Sequence, residues 1–322
     1  AALLAVIAPP AAAQTYYVVV SGIGGDPTYT KRFTEWGDMV VRAARSRWGV
    51  PDSDIVYLGE HPEADSQMSG AATKQRLTVA LQALAAKAEP DADVFVVLFG
   101  HGSDRGDGPR FNLPGPDITA AELSALLAPI KVRHLVVVDA SSASGGVVGA
   151  LSGPGRVVVT ATKSGFERNA TQFGGFFAAA LASDGADTDK DGRVSVLEAY
   201  TYARREVARA YARENRLLTE HAVLDDNGDG SGSEEPQGGG GDGALARAIF
   251  FGPAGGAAAV ATSDPVLKAL YVRRDSLERH VAELRAAKSR MAPDAYQQEL
   301  EATLVDLATT SRAIREKEAK QP

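Results

Sequence analysis

The chain reads as an α/β protein: an open, mostly parallel six-stranded sheet with helices on both faces, followed by a helical hairpin. Three observations predict this. Five segments, YYVVVSG (16–22), DIVYLG (54–59), DVFVVLFG (93–100), HLVVVDA (134–140) and RVVVTAT (156–162), are continuous Val/Ile/Leu-rich runs, the pattern of strands buried on both faces. Amphipathic helix candidates near 30–48, 70–88, 119–128 and 172–182 alternate with them, and that alternation specifies a parallel sheet with crossover helices. Beyond residue 265 the strand pattern stops and only helical periodicity remains.

Taken in order, residues 1–13 (AALLAVIAPPAAA) resemble the remnant of a secretory signal, an apolar run closing on an Ala-x-Ala pattern before Gln14. The expectation is an exported protein, periplasmic or secreted. The α/β domain is assigned to 15–252, with a weaker sixth strand, ARAIFFG (246–252), and a further helix at about 195–215. The glycine- and acid-rich stretch 225–243 reads as a mobile surface loop. Residues 253–265 form a linker. The hairpin, 266–318, carries Leu270, Leu277, Val281, Leu284 and Met291 on one helix and Leu300, Leu304, Leu307 and Ile314 on the next. That apolar stripe must pack on itself, on the main domain, on a protein partner or on a second copy of the chain.

Composition narrows the function classes. The 322 residues carry 34 Lys and Arg against 41 Asp and Glu, a formal charge of −7, so the long-range field repels nucleic acid and anionic membranes. Arg205, Arg209, Arg213 and Arg216 make a basic stripe, but Glu206 and Glu214 interrupt it, as on a solvated helix face. There is no cysteine, hence no disulfide framework, and no run approaches the roughly 20 apolar residues that span a bilayer.

Familiar nucleotide motifs fail. In SGIGGDP, Pro27 stands where a third glycine belongs, and no phosphate-binding G-x-x-x-x-G-K-[ST] occurs. In an open parallel sheet reactive groups collect beyond the carboxyl ends of the strands. The third strand ends in FGHGS and the fourth in DASSASGG, so His101 and Ser142 are set at adjacent strand ends. Imidazole suits proton transfer near neutrality, and Gly102, Gly145 and Gly146 allow backbone N–H groups close to a developing oxyanion. A tight site of small-residue packing explains the same pattern.

His-Gly after one strand and Ala-Ser142-Ala143-Ser144-Gly145 after the next resemble the legumain-type cysteine peptidases of the caspase-like group, which carry His-Gly and then Cys-x-Ser-Gly. The likeness extends over about 15–250 and includes ATKSGFERN (161–169) and EAYTYARREV. It implies a caspase-like fold and peptide-bond hydrolysis, with His101 as the catalytic histidine, Gly102 as an oxyanion-hole glycine and Ser142 in the place of the nucleophilic cysteine. A serine hydroxyl, unlike a thiol, needs a base in hydrogen-bond contact, and the family histidine mainly serves the leaving group. The expectation is therefore a chain inactive or very slow as it stands. A natural pseudopeptidase, a cysteine-to-serine substitution in an active peptidase and a serine-using variant all fit. The rival class is an exported, non-catalytic module that binds a peptide or protein. Legumains also carry an arginine after a tyrosine in the loop following the first strand, whereas here Tyr29 is followed by Thr30, so asparagine specificity does not carry over.

DTDKDGRVSVLE (187–198) matches the twelve-residue EF-hand loop. Asp187, Asp189 and Asp191 take positions 1, 3 and 5, Gly192 the turn, Arg193 the carbonyl position, Ser195 position 9 and Glu198 position 12. A structural Ca2+ is expected there. DDNGDGSGS (225–233) begins similarly but reaches Pro236 at position 12. His61, His134 and His280 read as surface or packing residues, and His221 beside Glu220 as a group that orders the acidic loop.

Overall fold

The computed structural model describes residues 14–64, 67–106, 108–237, 241–252, 259, 262–288 and 291–320. Residues 1–13, read above as a signal remnant, and most of 253–265 lie outside the described residues. The five apolar runs form β1 (Thr15–Ser21), β2 (Ile55–Gly59), β4 (Asp93–Phe99), β8 (His134–Asp139) and β9 (Arg156–Thr160). Two short strands, β3 (Gly70–Ala71) and β10 (Val223–Asp225), extend the edges, giving seven strands in the order β10-β9-β8-β4-β1-β2-β3. All pairs are parallel except β10 on β9.

Strand order reverses between β1 and β4, which opens a crevice at their carboxyl ends. Side chains alternate strictly: Tyr17, Val19, Phe95 and Val97 enter one core layer, and Tyr16, Val18, Val94 and Val96 the other. Helices α1 (Pro27–Ser46), α5 (Phe173–Ala182) and α6 (Val196–Arg213) supply the first layer, and α2 (Lys74–Lys87), α3 (Ala120–Leu127) and the short α4 (Val148–Leu151) the second.

The sheet thus has seven strands and not six, and the expected sixth is not among them. Residues 249–251 pair instead with the end of the loop 187–198: Val196 N–H donates to Ile249 O, and Phe251 N–H to Val194 O. Its apolar side chains bury between that loop and the core, as Ile249 and Phe251 show. A three-stranded antiparallel sheet, β5 (Gly102–Arg105), β6 (Gly108–Phe111) and β7 (Ile118–Thr119), follows β4. The sequence reading missed it, although the Gly-Asp-Gly of 106–108 is a hairpin signal.

The stretch 225–243 also departs from a mobile loop. Asp225, Asp226 and Asp242 are buried, and Asp226 accepts from the N–H groups of Gly243 and Ala246. The carboxylates accept hydrogen bonds from backbone N–H groups that would otherwise be buried without partners.

The hairpin is α7 (Pro265–Ala287) and α8 (Pro293–Glu318). It packs on itself and on the α/β domain, at the amino-terminal end of β4 and β8, where Arg279 of α7 meets Asp93 at 3.6 Å and Asp93 accepts from His134 at 2.7 Å. The buried residues of α7 are Leu267, Tyr271, Asp275, Arg279, Val281 and Leu284; Val281 and Leu284 lie on the expected stripe, while Asp275 and Arg279 are charged residues at core-facing positions that periodicity alone leaves to solvent. On α8, Ile314 is buried as expected and Leu300 and Leu307 are half-buried, while Leu304 is 40% exposed and Thr303 and Thr310 are buried beside the expected line.

Candidate functional site

His101 and Ser142 follow the carboxyl ends of the neighbouring strands β4 and β8. His101 follows Gly100 at the end of β4, its ring edge-on to Tyr29 and Phe33 with centroids 4.8 and 5.1 Å away. Burial among these rings lowers its pKa, opposed by a hydrogen bond with the Gly24 backbone that favours the charged ring. An interaction of that sign is a ring N–H donated to the carbonyl.

Ser142 is buried at the end of the neighbouring strand. Its Oγ accepts from Gly102 N–H at 3.2 Å and donates to Gly102 O at 3.2 Å. The hydroxyl proton is directed to a carbonyl, and the expected oxyanion-hole donor sits on the hydroxyl oxygen. Gly102 is required for this approach: a Cβ there would lie 2.5 Å from Ser142 O and 2.6 Å from Ser141 Oγ.

The turn after Ser142 is tightly built. Ala143 holds φ 57°, a left-handed conformation for a residue with a Cβ, and its N–H donates to Glu167 O at 2.8 Å. Ser144 Oγ accepts from Ala161 N–H, and Gly145 N–H donates to Thr162 Oγ1. A Cβ on Gly145 would sit 2.1 Å from Ser164 N. The ATKSGFERN segment therefore braces the Ser142 turn, and Phe166 within it is 86% exposed. Beside this turn opens a cleft of about 600 Å³ lined by Gly145, Lys163, Gly230, Ser233 and Glu234.

Asp139, three residues before Ser142, was missed by the sequence reading. It is buried, accepts from Ser141 N–H at 3.0 Å, and its pKa is pushed up to about 6 by burial. Its only signal in the sequence is a carboxylate closing an otherwise apolar strand. Thr30, at the position after Tyr29, donates to Glu60 at 2.8 Å. His221, expected to order the stretch 225–243, pairs with another segment. Its Nδ1 pairs with Glu167 at 2.5 Å, while Glu220 accepts from Gln172 and Phe173 N–H at the start of α5.

The acidic loop 187–198 lies apart, joining α5 to α6. Candidate ligand atoms of Asp187, Asp189 and Asp191 lie within 4.8 Å of one another. Gly192 holds φ 84° and its N–H donates to Asp187 Oδ2 at 3.0 Å. Asp187 Oδ1 is shut off from solvent without a hydrogen bond, as suits an oxygen reserved for a cation. Asp189 has its pKa raised by burial and by Asp191, Glu198 and Asp187. Glu198 accepts from Ser195 N–H and Thr188 N–H, each at 2.9 Å, which holds its carboxylate at the head of α6. Asp187, Asp189 and Asp191 thus offer a hard oxygen donor set for a metal ion. The Arg193 side chain, for which the loop pattern has no use, is buried among Asp191, Asp275 and Glu278.

The class defined by these features is a mixed α/β protein with a seven-stranded, mostly parallel sheet and a carboxyl-terminal helical segment. No family model matches the chain, and no curated protein matches it. Among solved structures, protein GSU0716 from Geobacter sulfurreducens is similar at 14% identity and a TM-score of 0.42, over 66% of this chain and 92% of that one. Among the described residues no helix is long and apolar enough to cross a membrane.

Proposed function

We propose that the chain is a legumain/caspase-like cysteine-endopeptidase scaffold with Ser142 in the nucleophile position, inactive or very weak in peptide-bond hydrolysis as it stands. One observation carries the reading: Gly102, next to His101 after β4, and Ser142, after the neighbouring β8, are in contact, with the Gly102 N–H on the Ser142 oxygen at 3.2 Å. In the hydrolytic form of such a site a nucleophile at 142 attacks the scissile carbonyl. The N–H groups of Gly102 and Ser142 hold the oxyanion, and His101 gives a proton to the leaving amine.

The geometry also favours the non-catalytic alternative, an exported peptide- or protein-binding module. Ser142 donates to Gly102 O, and a hydroxyl without a base in contact stays a poor nucleophile. The cleft beside the Ser142 turn remains available for a peptide side chain. The loop 187–198 is read as a structural Ca2+ site ligated by Asp187, Asp189, Asp191, the Arg193 carbonyl, Ser195 and Glu198.

The test is peptide-library turnover in Ca2+ by the chain as it stands, Ser142→Cys, and Ser142→Cys with His101→Ala. Cleavage by the single cysteine variant alone supports the scaffold reading. Folded variants that never cleave, together with saturable peptide binding, move the assignment to the binding module.

A further inference from the structure

The charge inventory around Arg193 does not balance. Its guanidinium donates to Asp191 Oδ2 through Nε at 3.1 Å and Nη2 at 2.6 Å, within the acidic loop. The same group pairs with Asp275 and Glu278 on α7. It lies over the Phe250 ring at 3.7 Å, in the segment that bridges the loop. Asp275 also meets Arg279 at 3.5 Å, and Arg279 continues to Asp93 on β4. His134 Nδ1 is 2.7 Å from Asp93, and its Nε2 is 4.0 Å from Glu283 of α7.

A single run of ion pairs therefore joins the loop, the hairpin and the amino-terminal edge of the sheet. Arg193, Asp275, Arg279, Asp93 and His134 are all buried in it. Three guanidinium groups, Arg193, Arg274 and Arg279, face Asp93, Asp191, Asp275 and Glu278, with Arg133 near Arg279, and the excess of carboxylate lies in the adjoining Asp187, Asp189 and Glu198 of the loop. Uncompensated charge is costly where water is excluded, and a divalent cation on the loop would offset part of that excess.

We propose that the loop 187–198 is a cation-dependent clasp for the carboxyl-terminal hairpin, with Arg193 as the coupling residue. This rests on the Ca2+ reading of the loop. When a cation shares the Asp191 carboxylate, the pull of that carboxylate on Arg193 weakens and more of the guanidinium charge is left to Asp275 and Glu278. Cation binding then tightens α7 on the domain. Linkage makes the effect reciprocal, so loosening the hairpin side lowers cation affinity by the same factor.

The experiment uses the full chain with Ca2+ alone as the probe, reading affinity by calorimetry and docking by amide hydrogen exchange over 265–318. In the unaltered chain, Ca2+ is expected to slow exchange in α7 by about fivefold or more. Arg193→Met keeps the backbone carbonyl offered to the cation and removes the guanidinium. It should bind Ca2+ without any Ca2+-dependent slowing in α7. The second variant, Asp275→Asn with Glu278→Gln, acts from the hairpin side and should lower Ca2+ affinity by about the factor seen in exchange. Ca2+ binding with exchange in α7 unchanged overturns the clasp and leaves the Ca2+ reading standing, as does full Ca2+-dependent slowing in folded Arg193→Met. If the unaltered chain binds no Ca2+, the Ca2+ reading fails and the clasp fails with it.

Discussion

At the residue scale, the Ser142 site depends on close backbone approach more than on side-chain bulk. A methyl group on Gly102 cannot fit against Ser142 O without displacing the end of β4 or of β8. Gly102→Ala should therefore cost about 1–3 kcal/mol, read as a lower denaturant midpoint, and abolish any reaction of a cysteine placed at 142. Asp139 sets a pH dependence. Its pKa is pushed from 3.8 up to about 6 by burial, so the fold favours its protonated form. Its ionisation opposes folding progressively as pH rises from about 4 to 6, by about 3 kcal/mol at most. Asp139→Asn keeps an acceptor for Ser141 N–H and should flatten the fall in stability over that window, measured by denaturant melts at several pH values. The slope will not vanish, because burial also pushes Asp242 up to about 6. The positions of His101 and Ser142 were legible because His101 stands between two glycines at the end of one apolar run and Ser142 in a cluster of small residues at the end of the next. Asp139 was not, because burial of a strand-end carboxylate is decided by neighbours distant in sequence.

At the element scale, capping and loop chemistry account for what periodicity could not. Glu220 closes the start of α5 from 48 residues away. Removing it in Glu220→Ala should cost about 1–2 kcal/mol, as for other lost helix caps, a loss that thermal melting will detect. The five long strands were evident from composition because both faces of each are buried. The edge strands β3 and β10 are two and three residues long, too short to leave a period in the sequence. The run 246–252 misled for a related reason: apolar residues that cover a loop look like those that join a sheet. The acidic loop was the reverse case, since its ligand spacing is local and fixed by the turn. Asp187→Ala should weaken Ca2+ binding at least tenfold by calorimetry, with the helical content of the chain unchanged.

At the scale of the whole molecule, two chemically distinct ends emerge. The carboxyl ends of β4 and β8 carry His101 and Ser142, and their amino ends carry the charged seam to the hairpin. The sequence placed the first because strand direction follows from parallel topology. It could not place the second, which depends on Asp275 and Arg279 turning inward from a helix that hydropathy assigns to solvent. A ligand bound only by the folded chain stabilises it by about 2.7 kcal/mol at a hundredfold excess over Kd. Saturating Ca2+ should accordingly raise the unfolding midpoint by several degrees, and a chelator should reverse the gain.

The central claim is that position 142 is the nucleophile position of a peptidase-type site. The chain contains no cysteine, so Ser142→Cys carries a single thiol, and covalent labelling by a library of peptidyl chloromethyl ketones, with the adduct mapped to position 142 by peptide mass spectrometry to separate it from alkylated histidine, reports on that atom. The account predicts one adduct per chain, formed faster than with chloroacetamide and slowed at least tenfold by His101→Ala. Labelling no faster than with chloroacetamide, and indifferent to His101, would contradict it.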